Sequence, residues 1–209
     1  MSDAVIDQAH AFLRAHLSGR LRFDDNAIAL KIVVAPDGRL VAPVMVAMLS
    51  SLETVLEMPD DADESLHIMV SMEPFAEEGP LGGLADRWRI YHGDPPDVRW
   101  AAMTIDAARF EGHFIDGDAL QRANPLAAHE PAVLKRLNEG DRETLKRACE
   151  AANLGAEQPV AVGIDDRGLD VRRAFDVVRV PFPEAISAIN GDATHEAITR
   201  VVERALASS

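Results

Sequence analysis

The hydrophobic pattern changes period twice along the chain. Ala9, Phe12, Leu13 and Leu17 fall at steps of three and four, which predicts a helix over Asp7–Leu17. After it the apolar residues come in short runs broken by turn-forming residues. Ala27–Ala35 is apolar and β-branched and ends at Pro36-Asp37-Gly38, where Pro presets φ and Gly accepts φ > 0. Leu40–Leu49 reads as the returning strand, and Thr54–Met58 as a short third. Leu66–Met72, Asp86–His92 and Trp100–Ile105 continue the series, with Phe110–Ile115 either a sixth strand or an extension. Many short strands with few helices between them predict a small barrel.

At Asn124-Pro125 the helical period returns. Leu134, Leu137, Leu145, Ala148 and Ala152 share one face of a predicted helix that opens at Pro131 and stops at Gly155. Strands follow over Pro159–Ile164, Leu169–Ala174 and Asp176–Phe182, and a closing helix carries Ile198, Val201, Val202, Ala205 and Leu206. The expected organisation is α+β: a β-rich domain over 1–124 and an α-β-β-β-α domain over 125–209.

Charge narrows the possible partners. The chain has 209 residues, with Lys+Arg 21 against Asp+Glu 35 and a formal net charge of −14. Such a balance disfavours a phosphate backbone and an anionic lipid surface, so neither nucleic acid nor membrane is an expected partner. The one cysteine, Cys149, allows no intramolecular disulfide and fits a reducing, cytoplasmic setting. The acidity is uneven: residues 40–86 hold no Lys or Arg, and then Arg87, Arg89, Arg99 and Arg109 follow in close order.

Three stretches resemble a known family. They are Val133-Leu134-Lys135-Arg136-Leu137-Asn138-Glu139-Gly140-Asp141, then Gly163-Ile164-Asp165-Asp166-Arg167-Gly168-Leu169-Asp170-Val171-Arg172, then Arg179-Val180-Pro181-Phe182. In this order they are similar to the C-terminal domain of bacterial haem-iron-utilisation proteins. In that family the domain follows a pyridoxamine 5′-phosphate oxidase-like, FMN-binding-type split β-barrel that pairs as a homodimer with its ligand site between subunits. The resemblance implies a haem- or tetrapyrrole-binding protein of iron acquisition, with or without haem-degrading activity. It leaves open an FMN-dependent oxidoreductase, or a non-enzymatic regulator that binds a protein partner. Arg136 and Asp141 stand where the family's long helix has histidines, which argues against carrying over any catalytic activity. Met58-Pro59-Asp60-Asp61-Ala62-Asp63-Glu64 stands where flavin-binding members place phosphate-gripping residues. Its four carboxylates count against FMN bound in the usual manner.

The densest polar-aromatic stretch is Asp86-Arg87-Trp88-Arg89-Ile90-Tyr91-His92. As a strand it would put Arg87, Arg89 and Tyr91 on one face and Trp88, Ile90 and His92 on the other. Arginines grip carboxylates such as haem propionates, aromatic rings cover a planar ligand, and a neutral imidazole ligates iron. Arg87, Trp88, Arg89, Tyr91, His92 and Arg109 are therefore the candidate contacts to a small planar anion, with His92 or His113 as the iron ligand. The competing account is a solvated, ion-paired face opposite a core face. No two of the seven histidines have a metal-site spacing in sequence, and no His-Glu-x-x-His occurs. Gly79-Pro80-Leu81-Gly82-Gly83 lacks a following Gly-Lys-Ser/Thr and reads as a loop. Cys149, beside Ala148 on the apolar stripe, reads as a buried inert thiol. Asp141 falls at the edge of the same stripe. The doubly apolar Leu40–Leu49 and the strand methionines favour a homodimer.

Overall fold

A computed structural model describes residues 3–59, 65–95, 99–140, 142–155, 157–186 and 195–208. It divides into two compact units, residues 1–123 and 124–209.

Unit 1 is built on a curled antiparallel sheet. Its strands are β1 (Ser18–Phe23), β2 (Asn26–Lys31), β3 (Val33–Val34), β4 (Leu40–Val44), β5 (Thr54–Met58), β6 (Leu66–Phe75), β7 (Arg99–Phe110) and β8 (His113–Asp116). They run in the order β2-β1-β5-β6-β7-β4-β3, with β8 also on β7. The long strand β7 organises the sheet. One of its edges pairs with β6, while its other edge is divided between β4 and β8. In the gap between those two, the Gln121 side chain accepts from the Ile105 N–H at 3.0 Å. The short helix α4 (Gly117–Leu120) packs there so closely that a Cβ on Gly117 would stand 1.9 Å from the Ile105 carbonyl oxygen. Only glycine fits that approach.

Helix α1 (Asp3–Ala15) buries Ala9 and Leu13, four residues apart, and sets Phe12 against Phe110 of β7 at 5.2 Å between ring centres. The sequence reading passed over β1, although Ser18-Gly19-Arg20-Leu21-Arg22-Phe23 alternates cleanly: Leu21 and Phe23 are buried while Arg20 and Arg22 face outward. The single strand expected over Ala27–Ala35 is two, broken at buried Ile32, whose N–H bonds to the Leu17 carbonyl. The expected strand Leu40–Leu49 ends at Val44 and turns into the short helix α2 (Val46–Leu49). Leu40, Val41, Ala42 and Val44 are buried within one chain, between β3 and β7, so their apolar character does not require a second copy.

The largest correction concerns Asp86–His92, which is helical: α3 spans Gly82–His92. Gly82 opens it where a Cβ would lie 1.8 Å from the Glu77 carbonyl oxygen, so the glycine-rich stretch is a close-packed helix start rather than a free loop. Alternating polar and aromatic residues suit a strand, but Ala85, Trp88 and Tyr91 also recur every three residues, and it is these that are buried.

Unit 2 contains α5 (Glu130–Glu139), α6 (Arg142–Ala151), β9 (Val160–Asp165), β10 (Gly168–Arg172), β11 (Val177–Pro181) and α7 (His195–Ser208). Its order is therefore α-α-β-β-β-α rather than α-β-β-β-α, because the expected single helix is interrupted after Glu139. The three strands form an antiparallel sheet in the order β11-β10-β9. Leu137, Leu145, Ala148 and Cys149 of the helices pack with Ile164, Leu169, Val171 and Val180 of the sheet and with Val202 and Leu206 of α7. Cys149 is buried there as expected, and desolvation pushes its thiol above the ordinary cysteine range. Asp141, residues 60–64 and the Ile198 side chain lie outside the described residues.

Candidate functional site

The residues singled out in sequence separate into two groups once their hydrogen bonds are followed. On α3, Arg87 Nε donates to the Val34 carbonyl at 3.0 Å, Trp88 Nε1 to Lys31 at 3.0 Å, and His92 Nε2 to Ile32 at 2.8 Å. Three side chains of one helix thus satisfy three backbone acceptors where β2 gives way to β3. An unpaired buried carbonyl costs about 1–3 kcal/mol, so this is a structural task of real size. Trp88 and Tyr91 are buried, whereas Ile90, expected to share a face with Trp88, is 51% exposed. Burial holds the His92 imidazole below the ordinary histidine range, and Lys31 adds to that effect.

Arg89 faces a different set of partners. It donates to Glu77 at 2.7 Å and Asp86 at 3.2 Å, and its guanidinium lies 5.3 Å from the Trp100 ring centre. Glu77 also accepts from Trp100 Nε1 at 2.6 Å, and the Arg89 and Trp100 hydrogen bonds hold its carboxyl below the usual range. The six candidate contacts therefore do not share one surface. Arg109 lies ten residues along β7 from Arg99, about 30 Å at strand rise.

At that end of β7 the structure assembles a row that sequence reasoning missed. Glu57 of β5 is opposite His67 of β6, His67 is opposite Arg109 of β7, and Arg109 is opposite Phe114 of β8. Arg20 of β1 extends the row beyond Glu57. Directly opposed residues project to one face of a sheet, here the outward one. Met69, two residues from His67, is 51% exposed and Phe114 is 69% exposed. Among the described residues Arg109 has no ion pair. The His67 ring nitrogen Nε2 lies 2.7 Å from the Ser65 hydroxyl, and Nδ1 lies 3.8 Å from Glu57 Oε1, an oxygen that also accepts from Arg22. His113 is exposed at the start of β8, next to Phe114. Register alone could have found this row, but register is not visible until the strands are paired.

In unit 2 the residues that carried the family resemblance also find their tasks. Arg179 donates to Asp170 at 2.7 Å and to Asp165, and all three side chains are at least nine-tenths buried. Asn138 donates to the Ala161 carbonyl and accepts from the Ala161 N–H, both at 2.9 Å. Glu130 accepts from the Ile164 N–H, and Asn124 donates to the Ile164 carbonyl. Arg136, at a family histidine position, is exposed and 3.8 Å from Glu203. Among the described residues no helix is long and apolar enough to cross a membrane, and no group of three or more His, Cys, Asp and Glu converges as a metal site.

No family model matches the chain, and no curated protein matches its sequence. Among solved structures it is similar to a protein of unknown function from Agrobacterium tumefaciens, at TM-score 0.73 and 18% identity, covering 97% of this chain and 95% of that one. A heme binding protein from Mycobacterium smegmatis overlaps at TM-score 0.43 and 18% identity, covering 100% of this chain and 99% of that one. The first of these likenesses shows that the fold recurs in another protein along nearly its whole length.

Proposed function

We propose that the outward face of β5–β8 binds a planar, carboxylate-bearing ligand of the tetrapyrrole class, haem foremost. The observation that carries this reading is the in-register row of His67, Arg109 and Phe114 beside Met69. An arginine without an ion pair among the described residues is suited to a propionate. A phenylalanine and a methionine offer apolar contact to a flat ring. His67 would hold the iron through Nε2 in exchange for its 2.7 Å contact with the Ser65 hydroxyl, and haem supplies the redox and ligand-binding chemistry of that iron when bound. Glu57, on the Nδ1 side, is placed to orient the imidazole as carboxylates do behind metal-bound histidines. His113, the other histidine expected from the sequence, is opposite Phe110 and so projects to the other face of the sheet from Phe114. On this reading the α3 residues Arg87, Trp88, Tyr91 and His92 support the fold, and the face is completed by a second copy of the chain, as the resemblance implies.

FMN ranks second because of the acidic stretch Pro59–Glu64. Titration of the purified protein with hemin and with FMN tests the order. A saturable Soret shift, weakened about tenfold or more by Arg109→Ala, is the expected result. Stoichiometric FMN retention would reverse the order, and failure of both ligands to bind would favour a protein partner instead.

A further inference from the structure

Two histidines 66 residues apart meet in unit 2. His129 immediately precedes α5 and His195 begins α7, and their Nδ1 atoms stand 3.1 Å apart with ring centres at 5.0 Å. His195 is exposed and His129 half-buried, and neither side chain has a further polar partner among the described residues. Two imidazole nitrogens bound to one zinc ion at about 2.0–2.1 Å each lie roughly 2.8–3.4 Å apart, for angles between a right angle and tetrahedral. The observed separation falls inside that range. We propose that His129 and His195 form a two-histidine chelate for a late first-row divalent cation, with water completing the coordination.

The surroundings are consistent with such an ion. His195 lines a cleft of about 490 Å³ that also includes Glu196, Glu203, Arg136 and Arg200. Glu196 pairs with Arg200 at 3.2 Å and Glu203 with Arg136 at 3.8 Å, so each carboxylate is already offset by a guanidinium. Glu130, next to His129, is buried and bonded to the Ile164 N–H. Neutral imidazole suits Zn²⁺, Ni²⁺ and Cu²⁺, whereas Mg²⁺ and Ca²⁺ prefer oxygen ligands. Without metal, one neutral imidazole donates its Nδ1 proton to the other. With metal, both Nδ1 atoms must be deprotonated and the ring protons reside on Nε2.

The site is independent of the proposed haem face, so either can fail alone. The test is titration of the natural-sequence protein with Zn²⁺ against a chromophoric chelator at pH 7.5, alongside His129→Ala, His195→Ala and, as a control in unit 1, His16→Ala. One ion per chain is expected, with binding weakened about tenfold or more in each of the first two variants and unchanged in the third. With Cu²⁺, the electron paramagnetic resonance spectrum should show coupling to two nitrogens in the natural sequence and to one in either single variant. Zn²⁺ binding that survives both substitutions, or no binding by the natural sequence, would overturn the proposal. Circular dichroism of the variants separates a lost site from a lost fold.

Discussion

Both units use side chains on or near a helix to satisfy backbone groups at an edge of a sheet, but they do so with different chemistry. In unit 1, α3 offers Arg87, Trp88 and His92 Nε2, all acting as donors, to three carbonyls. In unit 2, Asn138 both donates and accepts, Glu130 accepts and Asn124 donates, so N–H and C=O groups of β9 are served alike. The first arrangement closes the break between two short strands. The second stands in for a missing neighbour along an edge strand, which would otherwise invite pairing with another chain. A sequence-prominent cluster of arginine and aromatic residues can therefore be a fastening. What distinguishes Arg109 from Arg87 and Arg89 is the absence, among the described residues, of a hydrogen-bond or ion-pair partner.

The contrast can be broken most strongly in unit 2, where two carboxylates share one guanidinium in the interior. Arg179→Leu should lower stability by about 3–5 kcal/mol, because Asp165 and Asp170 lose the buried guanidinium that pairs with both of them. Equilibrium denaturation should register this as a large fall in midpoint. Asn138→Ala should cost less, about 1–3 kcal/mol, by leaving both backbone groups of Ala161 without their partner. Hydrogen exchange should then show faster exchange of the Ala161 amide. Trp88→Phe keeps most of the packing and removes one hydrogen bond to Lys31, for about 1 kcal/mol by thermal or chemical denaturation.

The smallest effect is the pH response of His92. Burial lowers its folded-state pKa, so the unfolded chain binds the proton more readily. Its contribution to stability is complete above about pH 6.5 and is lost as the pH falls from there through the folded value. The midpoint difference between pH 7.5 and 5.5 should shrink in His92→Gln, and an unchanged difference would remove His92 from the account.

Local patterns were legible where one period dominated. Thr54–Met58 emerges with the predicted bounds, and the helical stripe of Leu137, Leu145 and Ala148 is buried as read. Asp86–His92 was misread because its residues satisfy a period of two as well as a period near three, and the packing of Trp88 against β2–β3 decides between them. The hairpin between β7 and β8 turns on Glu111-Gly112, both at positive φ, a two-residue signal overlooked inside an apolar run. The row of His67, Arg109 and Phe114 was not legible, since those residues come from three strands and meet only through register. The approach of His129 to His195 was hidden because it depends on the packing of α5 and α7, which bring together residues 66 positions apart.

The central claim is that an anionic planar ligand meets the outward sheet face rather than α3. Hemin titration of the natural sequence, Arg109→Ala, His67→Ala and His92→Gln tests it most directly. The account predicts saturable Soret changes that weaken about tenfold or more in the first two variants and persist in the third. Binding that is lost in His92→Gln while the fold is retained, and is unchanged in Arg109→Ala and His67→Ala, would contradict it.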